Sequence, residues 1–519
     1  MKYKLKLALM ALVLMACSKE EASLNSNHDC SCDEGGSTGE IVLGERLANP
    51  YTTKNISEAL NSLYPTKSGD VNVRTTHLYV RFLPKSQQEY EELSALGLRM
   101  LDYPMDYDIK VHGDWYHDPE IPQDQITWQY TVVPVDFKFP GIEYEIIDEC
   151  HIPDDDTDTK GGDSLDWDAI ERQAYMNTGN EGMLAPQTKA SAVRPMGRIT
   201  ISDKHYNGGQ GIGLSGVLIS CNSFVKMDDT YTDEFGYYEM SKKFTANLTY
   251  KVIFDNKEDF SIGFNLILSP ASSHFLDITS PSGCSVNISR ESNQILFNRC
   301  VVNNAAYDYI KLCEKDNMIS PPSDLRIWVL HNLKWSGAIM ARQGALLENN
   351  LFKTFMGEYA GLIRVFLPDV VVGLKNEDTY QDIYSSVCHE ISHSSHFSKA
   401  KVDWWNKYLK YRIKSLTSSN KYGSGKEEGA GNCEVAEMWA YYMQSLMYKN
   451  RYGGNFQAFG KGYWFKPDIL RDLHKNGFKS NEILSVLDSN VSSKSDFKQA
   501  LITKYPSRKT KIEQAFDKY

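Results

Sequence analysis

Residues 381–396 carry the pattern that most constrains how this chain can fold. They contain neither proline nor glycine, so a helix can run through the whole segment. Within it stands His389-Glu390-x-x-His393, and apolar side chains recur every four positions, which predicts a helix with one buried stripe. The four-residue spacing places His389 and His393 one turn apart on the same face, within reach of a single ion.

Two imidazoles in this arrangement suit Zn2+, which accepts nitrogen ligands at about 2.0–2.1 Å. Three protein ligands on zinc leave one position for water, and the metal lowers the pKa of that water toward ~7. Glu390 is rotated about 100° from His389 around the helix axis, so its carboxylate can accept a proton from the water without ligating the metal. The pattern predicts a zinc site with Glu390 as general base. Polar residues on an exposed helix face are the alternative at this point.

A third ligand has to come from another part of the chain. In the pattern His-Glu-x-x-His-x-x-Gly-x-x-His, the positions of the glycine and the last histidine are occupied here by His396 and Lys399, which argues against that class of site. Downstream, a second stretch with helical periodicity carries Glu434 and Glu437. Their three-residue spacing directs both carboxylates to similar sides of the helix, so either one is a candidate ligand.

The segment Glu437-Met438-Trp439-Ala440-Tyr441-Tyr442 resembles the second helix of gluzincin metallopeptidases, a zincin-like group in which a glutamate completes a His2Glu site. The resemblance covers roughly residues 300–460. It implies that Glu437 is the third zinc ligand, and that Glu434 is an alternative ligand or orients a ligand histidine. It also implies zinc-dependent hydrolysis of peptide bonds, with a protein or peptide as substrate.

The same resemblance bears on the surroundings of the site. The stretch between His393 and Glu437 is longer than in familiar gluzincins, so we expect an inserted loop between them. A tyrosine hydroxyl is expected to stabilise the oxyanion formed during hydrolysis. The candidates are Tyr422 and Tyr442, and Tyr441 is a further one.

The N-terminus has the layout of a bacterial export signal. Lysines precede the apolar stretch Leu7–Met15, which is too short to span a bilayer. Leu14-Met15-Ala16-Cys17 resembles a lipobox, so we expect residues 1–16 to be removed and Cys17 to be lipidated. The following Ser18-Lys19-Glu20-Glu21 resembles a surface-export signal of Gram-negative lipoproteins. The expected location is the outer membrane, surface-exposed and held by the lipid on Cys17.

Changes in composition along the chain predict a multidomain protein with a β-rich N-terminal domain, a β-sandwich middle domain and an α+β zincin-like C-terminal domain. The predicted parts are a signal peptide at 1–16, a flexible tether at 17–45, a β-rich domain of unknown role at 46–160, a linker at 161–195, the β-sandwich at 196–290 and the zincin-like metallopeptidase domain at 291–519. Within the middle domain, Gly213–Val217 followed by Thr232–Tyr238 resembles a carboxypeptidase regulatory-like β-sandwich module. That resemblance implies an accessory domain without catalysis.

The charge balance argues against one class of partner. The chain has 56 lysines and arginines against 67 acidic residues, a net charge of −11. Binding of nucleic acid through its phosphates depends on clustered lysine and arginine, so no nucleic-acid partner is expected. The alternative function is a non-catalytic surface binding lipoprotein with a degenerate zincin domain. A structural lipoprotein with an accidental His-Glu-x-x-His is a further alternative.

Overall fold

The computed structural model describes most of the chain from residue 39 onward. The described residues are 39–66, 71–122, 125–153, 165–184, 192–263, 271–276, 279–331, 336–345, 368–416 and 421–519. The predicted signal peptide, Cys17 and most of the predicted tether lie outside them. Among the helices of the described part, none is both long and apolar enough to cross a membrane.

Strands dominate the chain up to residue 288, and helices dominate it after residue 293. Among the described residues the strands are β1 (Val42–Arg46), β2 (His77–Phe82), β3 (Tyr107–Val111), β4 (Gln129–Pro134), β5 (Tyr144–Cys150), β6 (Met196–Ile201), β7 (Ile212–Gly213), β8 (Val217–Ser223), β9 (Lys226–Tyr231), β10 (Tyr237–Glu239), β11 (Thr249–Asn256), β12 (Phe260–Ile262), β13 (Ser273–Phe275), β14 (Val286–Ile288), β15 (Leu325–His331), β16 (Gly337–Ala338) and β17 (Val370–Leu374). The helices are α1 (Thr53–Leu63), α2 (Gln87–Ala95), α3 (Trp167–Asn177), α4 (Gln294–Asp316), α5 (Tyr380–Leu416), α6 (Ala430–Tyr452), α7 (Asp468–Lys475), α8 (Ser480–Leu484), α9 (Lys494–Lys504) and α10 (Lys509–Phe516). The predicted order, with sheet-rich N-terminal and middle regions and a helical C-terminal region, is confirmed.

The N-terminal region contains a small antiparallel sheet, in which β2 lies between β4 and β5. Aromatic and β-branched residues are frequent in these strands, as is typical of strands that pack on one face. The helix α2 begins after Ser86, whose side chain accepts a hydrogen bond from the backbone N–H of Glu89 and so caps the first turn.

The strands on both sides of residue 290 belong to one sheet, which we call the central sheet. Its strand order is β16-β17-β15-β12-β11-β8-β9, with β13 paired to β11. β12 and β15 pair in parallel, and the connection between them contains α4. The boundary predicted between 290 and 291 therefore runs through a sheet. The middle region is rich in strands, but these strands do not form a unit closed within 196–290, because β12 pairs with β15, which lies beyond residue 290.

The two faces of the central sheet meet different parts of the molecule. On β11, Tyr250, Val252 and Phe254 belong to the main hydrophobic core, together with buried residues of α4, α5 and α6. Lys251 and Asp255 alternate with them and line a cavity on the opposite face, next to residues of the N-terminal region.

Helix α5 contains the predicted motif and does not run straight. Lys401 has φ 71° and ψ 170°, outside the helical region, and interrupts it. A straight helix would separate His393 from Tyr408 by ~22 Å, but their ring centroids lie 5.7 Å apart. The chain therefore reverses at Lys401. Where we expected a loop after the motif, a second helical arm continues to Leu416.

Helix α6 packs along α5, and a hydrogen bond joins the two helices at a residue of α5 that stands between the two histidines of the motif. The indole Nε1 of Trp439 donates a hydrogen bond to the carbonyl oxygen of Ser392 at 3.0 Å. Cys388 on α5 and Cys433 on α6 are both buried free thiols. Packing and hydrogen bonds, rather than a disulfide between these cysteines, hold the two helices together.

Candidate metal centre

Three side chains from α5 and α6 direct one ligand atom each to a common point. Nε2 of His389 lies 3.3 Å from Oε2 of Glu437, and Nε2 of His393 lies 3.8 Å from the same oxygen. Ligand atoms of the three residues all lie within 4.8 Å of one another. The two histidines come from one turn of α5, as their spacing predicts, and Glu437 comes from the facing turn of α6.

The donor atoms fit a metal ion. Buried polar atoms in proteins are nearly always hydrogen-bonded. In the described part of the chain, Nε2 of His393 and Oε2 of Glu437 are buried and make no hydrogen bond. Tetrahedral zinc with bonds of about 2.0–2.1 Å separates its ligands by ~3.4 Å, close to the observed spacing. This buried group of two imidazoles and a carboxylate can therefore hold a metal ion.

The orientation of His389 is set by a residue of α6. Nδ1 of His389 donates a hydrogen bond to Oε1 of Gln444 at 3.2 Å, because an amide oxygen can only accept. The lone pair of His389 then lies on Nε2, the atom nearest Glu437. Gln444 is seven residues beyond Glu437, which places both on one face of α6. A partner of this kind fixes the tautomer of a metal-ligating histidine.

Glu437 is held by the second arm of α5. Its Oε1 accepts a hydrogen bond from the hydroxyl of Tyr408 at 2.9 Å and lies 3.7 Å from Nε of Arg412. Burial by itself raises the pKa of Glu437, but the proximity of His389, His393 and Arg412 outweighs it and holds the pKa below its usual range. Glu437 is therefore a carboxylate whose Oε1 is hydrogen-bonded to Tyr408 and whose Oε2 is directed to the two histidines.

Glu390 stands beside this group on α5, and its side chain is buried. Burial raises its pKa, and the neighbouring carboxylate of Glu437 adds to the effect, while His389 opposes it. The pKa of His393 lies well below its usual range, chiefly because burial disfavours the imidazolium. The imidazole of His393 is thus neutral, which is the form that binds a metal.

Glu434 does not join the group. It is half-buried on α6, and its Oε2 accepts a hydrogen bond from the backbone N–H of Lys494 at 3.2 Å, at the start of α9. Three residues correspond to a rotation of about 300°, so Glu434 and Glu437 differ by about 60° around α6. That difference is enough to direct Glu434 to α9 and Glu437 to α5.

The predicted tyrosines occupy different places. Tyr442 faces away from the metal centre, because its hydroxyl is hydrogen-bonded to Nδ1 of His474 at 2.8 Å and to Oγ of Ser480 at 2.9 Å. Tyr441 is four residues beyond Glu437, and its ring packs against the ring of His389 with centroids 4.4 Å apart. The hydroxyl of Tyr442 is therefore directed to α7 and α8, whereas its neighbour Tyr441 lies beside His389.

Tyr422 is buried and is connected to the centre through Tyr441 and Arg412. The two hydroxyls are hydrogen-bonded to each other at 2.8 Å, and the guanidinium of Arg412 lies over the ring of Tyr422, 4.3 Å from its centroid. Tyr422 therefore lies near the site, with Tyr441 between it and His389.

Three residues of the centre, Gln444, Tyr408 and Arg412, were not identified from the sequence. Helical spacing from Glu437 could have identified Gln444, which lies seven residues further along α6. For Tyr408 and Arg412 no such signal exists, since they reach Glu437 only after the reversal at Lys401.

No family model matches this chain, and no curated protein is significantly similar to it. The interpretation of the centre therefore depends on its geometry and chemistry.

Proposed function

We propose that this chain is a zinc-dependent metallopeptidase that hydrolyses peptide bonds of extracellular proteins or peptides. The observation that carries the proposal is the convergence of Nε2 of His389, Nε2 of His393 and Oε2 of Glu437 on one buried point. Zinc is the metal of choice because it takes two imidazoles and one carboxylate as ligands and keeps a fourth position for water.

Each residue has a distinct task in this proposal. A zinc ion bound by the three ligands would supply a water of lowered pKa and a Lewis acid for the scissile carbonyl. Glu390 accepts the proton of the attacking water and transfers it to the leaving nitrogen. The buried position of Glu390 favours this role, because a raised pKa makes its carboxylate a stronger base.

The hydroxyl of Tyr441 is the group we assign to the carbonyl oxygen of the substrate. Its ring lies against the ring of His389, with centroids 4.4 Å apart. The hydrogen bond with Tyr422 orients the Tyr441 hydroxyl. A hydroxyl held in this way can donate to the charge that develops on the substrate oxygen.

The sequence at the N-terminus indicates where in the cell this activity would take place. A lipid on Cys17 would hold the enzyme at the outer membrane, with the catalytic part facing extracellular substrate. The lipobox and the residues after it carry this part of the proposal.

The depth of the centre favours a second candidate, a non-catalytic surface binding lipoprotein whose metal site is structural. His393 and Glu437 are each 1% exposed, and His389 and Glu390 are each 7% exposed. Structural zinc sites are closed, whereas a catalytic site must admit substrate. Substrate in the first candidate has to reach the ion from the side of His389 and Glu390.

Glutamate-to-glutamine variants separate the two candidates. We expect Glu390→Gln to keep one equivalent of zinc and to lose cleavage of a fluorogenic peptide library by at least ~100-fold. Glu437→Gln should lose zinc and cleavage together, and Glu434→Gln, a matched control on the same helix, should keep both. Full cleavage by Glu390→Gln would refute the mechanism. Stoichiometric zinc without cleavage in the unaltered chain would favour the structural candidate.

A further inference from the structure

A polar cavity of about 550 Å3 lies between the N-terminal region and the face of the central sheet opposite the main core. Residues of α2 and of the loop that follows it line one wall, and β11, β12 and β15 line the other. Cavities of this size accommodate small organic molecules.

The register of the central sheet gathers polar side chains on the second wall. Lys251 and Asp255 share one face of β11, because side chains alternate along a strand. Asp255 lies opposite Ser261 on β12, and Ser261 lies opposite Arg326 on β15. All four of these residues line the cavity from three neighbouring strands.

Lys251 is the residue that indicates a ligand. It is 4% exposed, and its ammonium packs over the rings of Tyr103 and Phe275, 4.6 and 4.3 Å from their centroids. Within the part of the chain that the structure describes, this ammonium forms no hydrogen bond and no ion pair, and the buried hydroxyl of Ser261 also has no hydrogen-bond partner. Aromatic faces attract a cation but leave its three N–H donors without an acceptor.

Lys251 is mainly a cation at neutral pH. Burial lowers its pKa to about 8, against the opposing influence of Asp102 and Asp114. These two carboxylates have other partners: Asp114 binds Nη1 of Arg299 at 2.9 Å, and Asp102 accepts the backbone N–H of Tyr116 at 2.7 Å. Within the described residues, neither carboxylate is hydrogen-bonded to the Lys251 ammonium, although both act on it through their charge.

We propose that this cavity binds a small molecule through a carboxylate, which accepts hydrogen bonds from the Lys251 ammonium. Ser261 and Arg326 line the same wall on the neighbouring strands. The carboxylate can belong to the C-terminus of a short peptide or to a free organic acid. The proposal uses none of the residues of the metal centre and is independent of the proposed peptidase activity.

Calorimetric titration of the purified full chain with trialanine, trialanine amide and succinate tests the proposal. We expect at least one of the two acids to bind, and the amide to bind at least tenfold more weakly than trialanine, since a charge-assisted hydrogen bond is lost. Lys251→Met should weaken binding of the acid at least tenfold. Lys257→Met is the matched control, because Lys257 is exposed just beyond the end of β11 and should leave the affinity unchanged.

The two acids also distinguish the sources of the carboxylate. Binding of trialanine alone assigns the cavity to a peptide C-terminus, binding of succinate alone assigns it to an organic acid, and binding of both assigns it to the carboxylate itself. Failure of both acids to bind at about 10 mM, or equal binding by Lys251→Met, would overturn the proposal.

A measurement on the unaltered chain covers the case in which Lys251→Met does not fold. Reductive methylation followed by mass spectrometry reports the reactivity of each lysine. A bound acid should slow methylation of Lys251 at least tenfold and leave that of Lys257 unchanged. Equal reactivity of Lys251 with and without the acid would contradict the proposal.

Discussion

The hydroxyl of Tyr408 donates a hydrogen bond to Oε1 of Glu437 at 2.9 Å, and the other oxygen of that carboxylate faces His389 and His393. Tyr408 lies on the arm of α5 beyond the break at Lys401. One helix therefore supplies both histidines before its reversal and the support for the third ligand after it.

Replacement of Tyr408 by phenylalanine tests this support. Removal of the hydroxyl leaves Oε1 of Glu437 with one donor fewer, so the carboxylate can rotate out of position. We expect zinc affinity, measured by competition with a chelator, to fall by about 10–100-fold. Tyr411→Phe is the control: its hydroxyl bonds to the carbonyl of Tyr422 instead, so zinc affinity should not change. Equal affinities in all three proteins would contradict the role of Tyr408.

Gln444 should act on the metal through His389. In Gln444→Leu, Nδ1 of His389 loses its acceptor, and the tautomer with a lone pair on Nε2 is no longer favoured. We expect zinc affinity about tenfold or more below that of the unaltered chain, with no change for Gln499→Leu, which alters an exposed glutamine of α9. An unchanged zinc affinity of Gln444→Leu would show that the hydrogen bond does not orient the ligand.

His396 should make stability depend on pH. It is fully buried against Trp404, and burial lowers its pKa to about 3, whereas the unfolded chain protonates it near 6.5. The unfolded state therefore binds the proton more readily, and stability is present above about pH 6.5 and falls as pH decreases toward 3. The expected loss from this residue between pH 7 and pH 5 is ~2 kcal/mol in the free energy of unfolding.

Urea denaturation at the two pH values measures this loss. His396→Phe keeps a ring of similar shape and should show a pH-dependent loss ~2 kcal/mol smaller than the unaltered chain. His205→Phe, at an exposed position, should show the full loss. An identical pH dependence of the His396→Phe variant and the unaltered chain would mean that His396 does not titrate in this way.

A buried ion pair should dominate the stability of the contact between α3 and β9. Nζ of Lys226 lies 2.8 Å from Oε2 of Glu171, and both side chains are almost completely buried. Lys226→Met leaves Glu171 as an unpaired buried charge, so we expect a loss of ~3–5 kcal/mol in the free energy of unfolding. The double variant Lys226→Met with Glu171→Gln should recover part of that loss, since no charge is then left. Denaturant unfolding of the three proteins gives the comparison, and a smaller loss in the single variant than in the double one would be inconsistent with this account.

The ligands of the metal centre show how much of the site can be predicted from the spacing of residues along the sequence. The pattern at 389–393 predicts a helix and two histidines on one face, and the structure has both. The resemblance of the following helix to gluzincins implies Glu437, which is the carboxylate that meets the histidines. Spacing by itself left Glu434 and Glu437 as equal candidates for the third ligand. Their side chains differ by only about 60° around the helix axis, and this difference cannot identify the ligand until the positions of the facing helices are known.

The sequence by itself determined the features that depend on near neighbours: the helical stretches, the common face of His389 and His393, and the strand-rich character of the first half. Only the tertiary structure decided the reversal at Lys401, the contact of Tyr408 with Glu437 and the sheet that joins strands from both sides of residue 290. Periodicity records which face of an element is buried, because that preference acts residue by residue. It does not record which distant element covers that face, since the pairing is settled by packing of the whole chain.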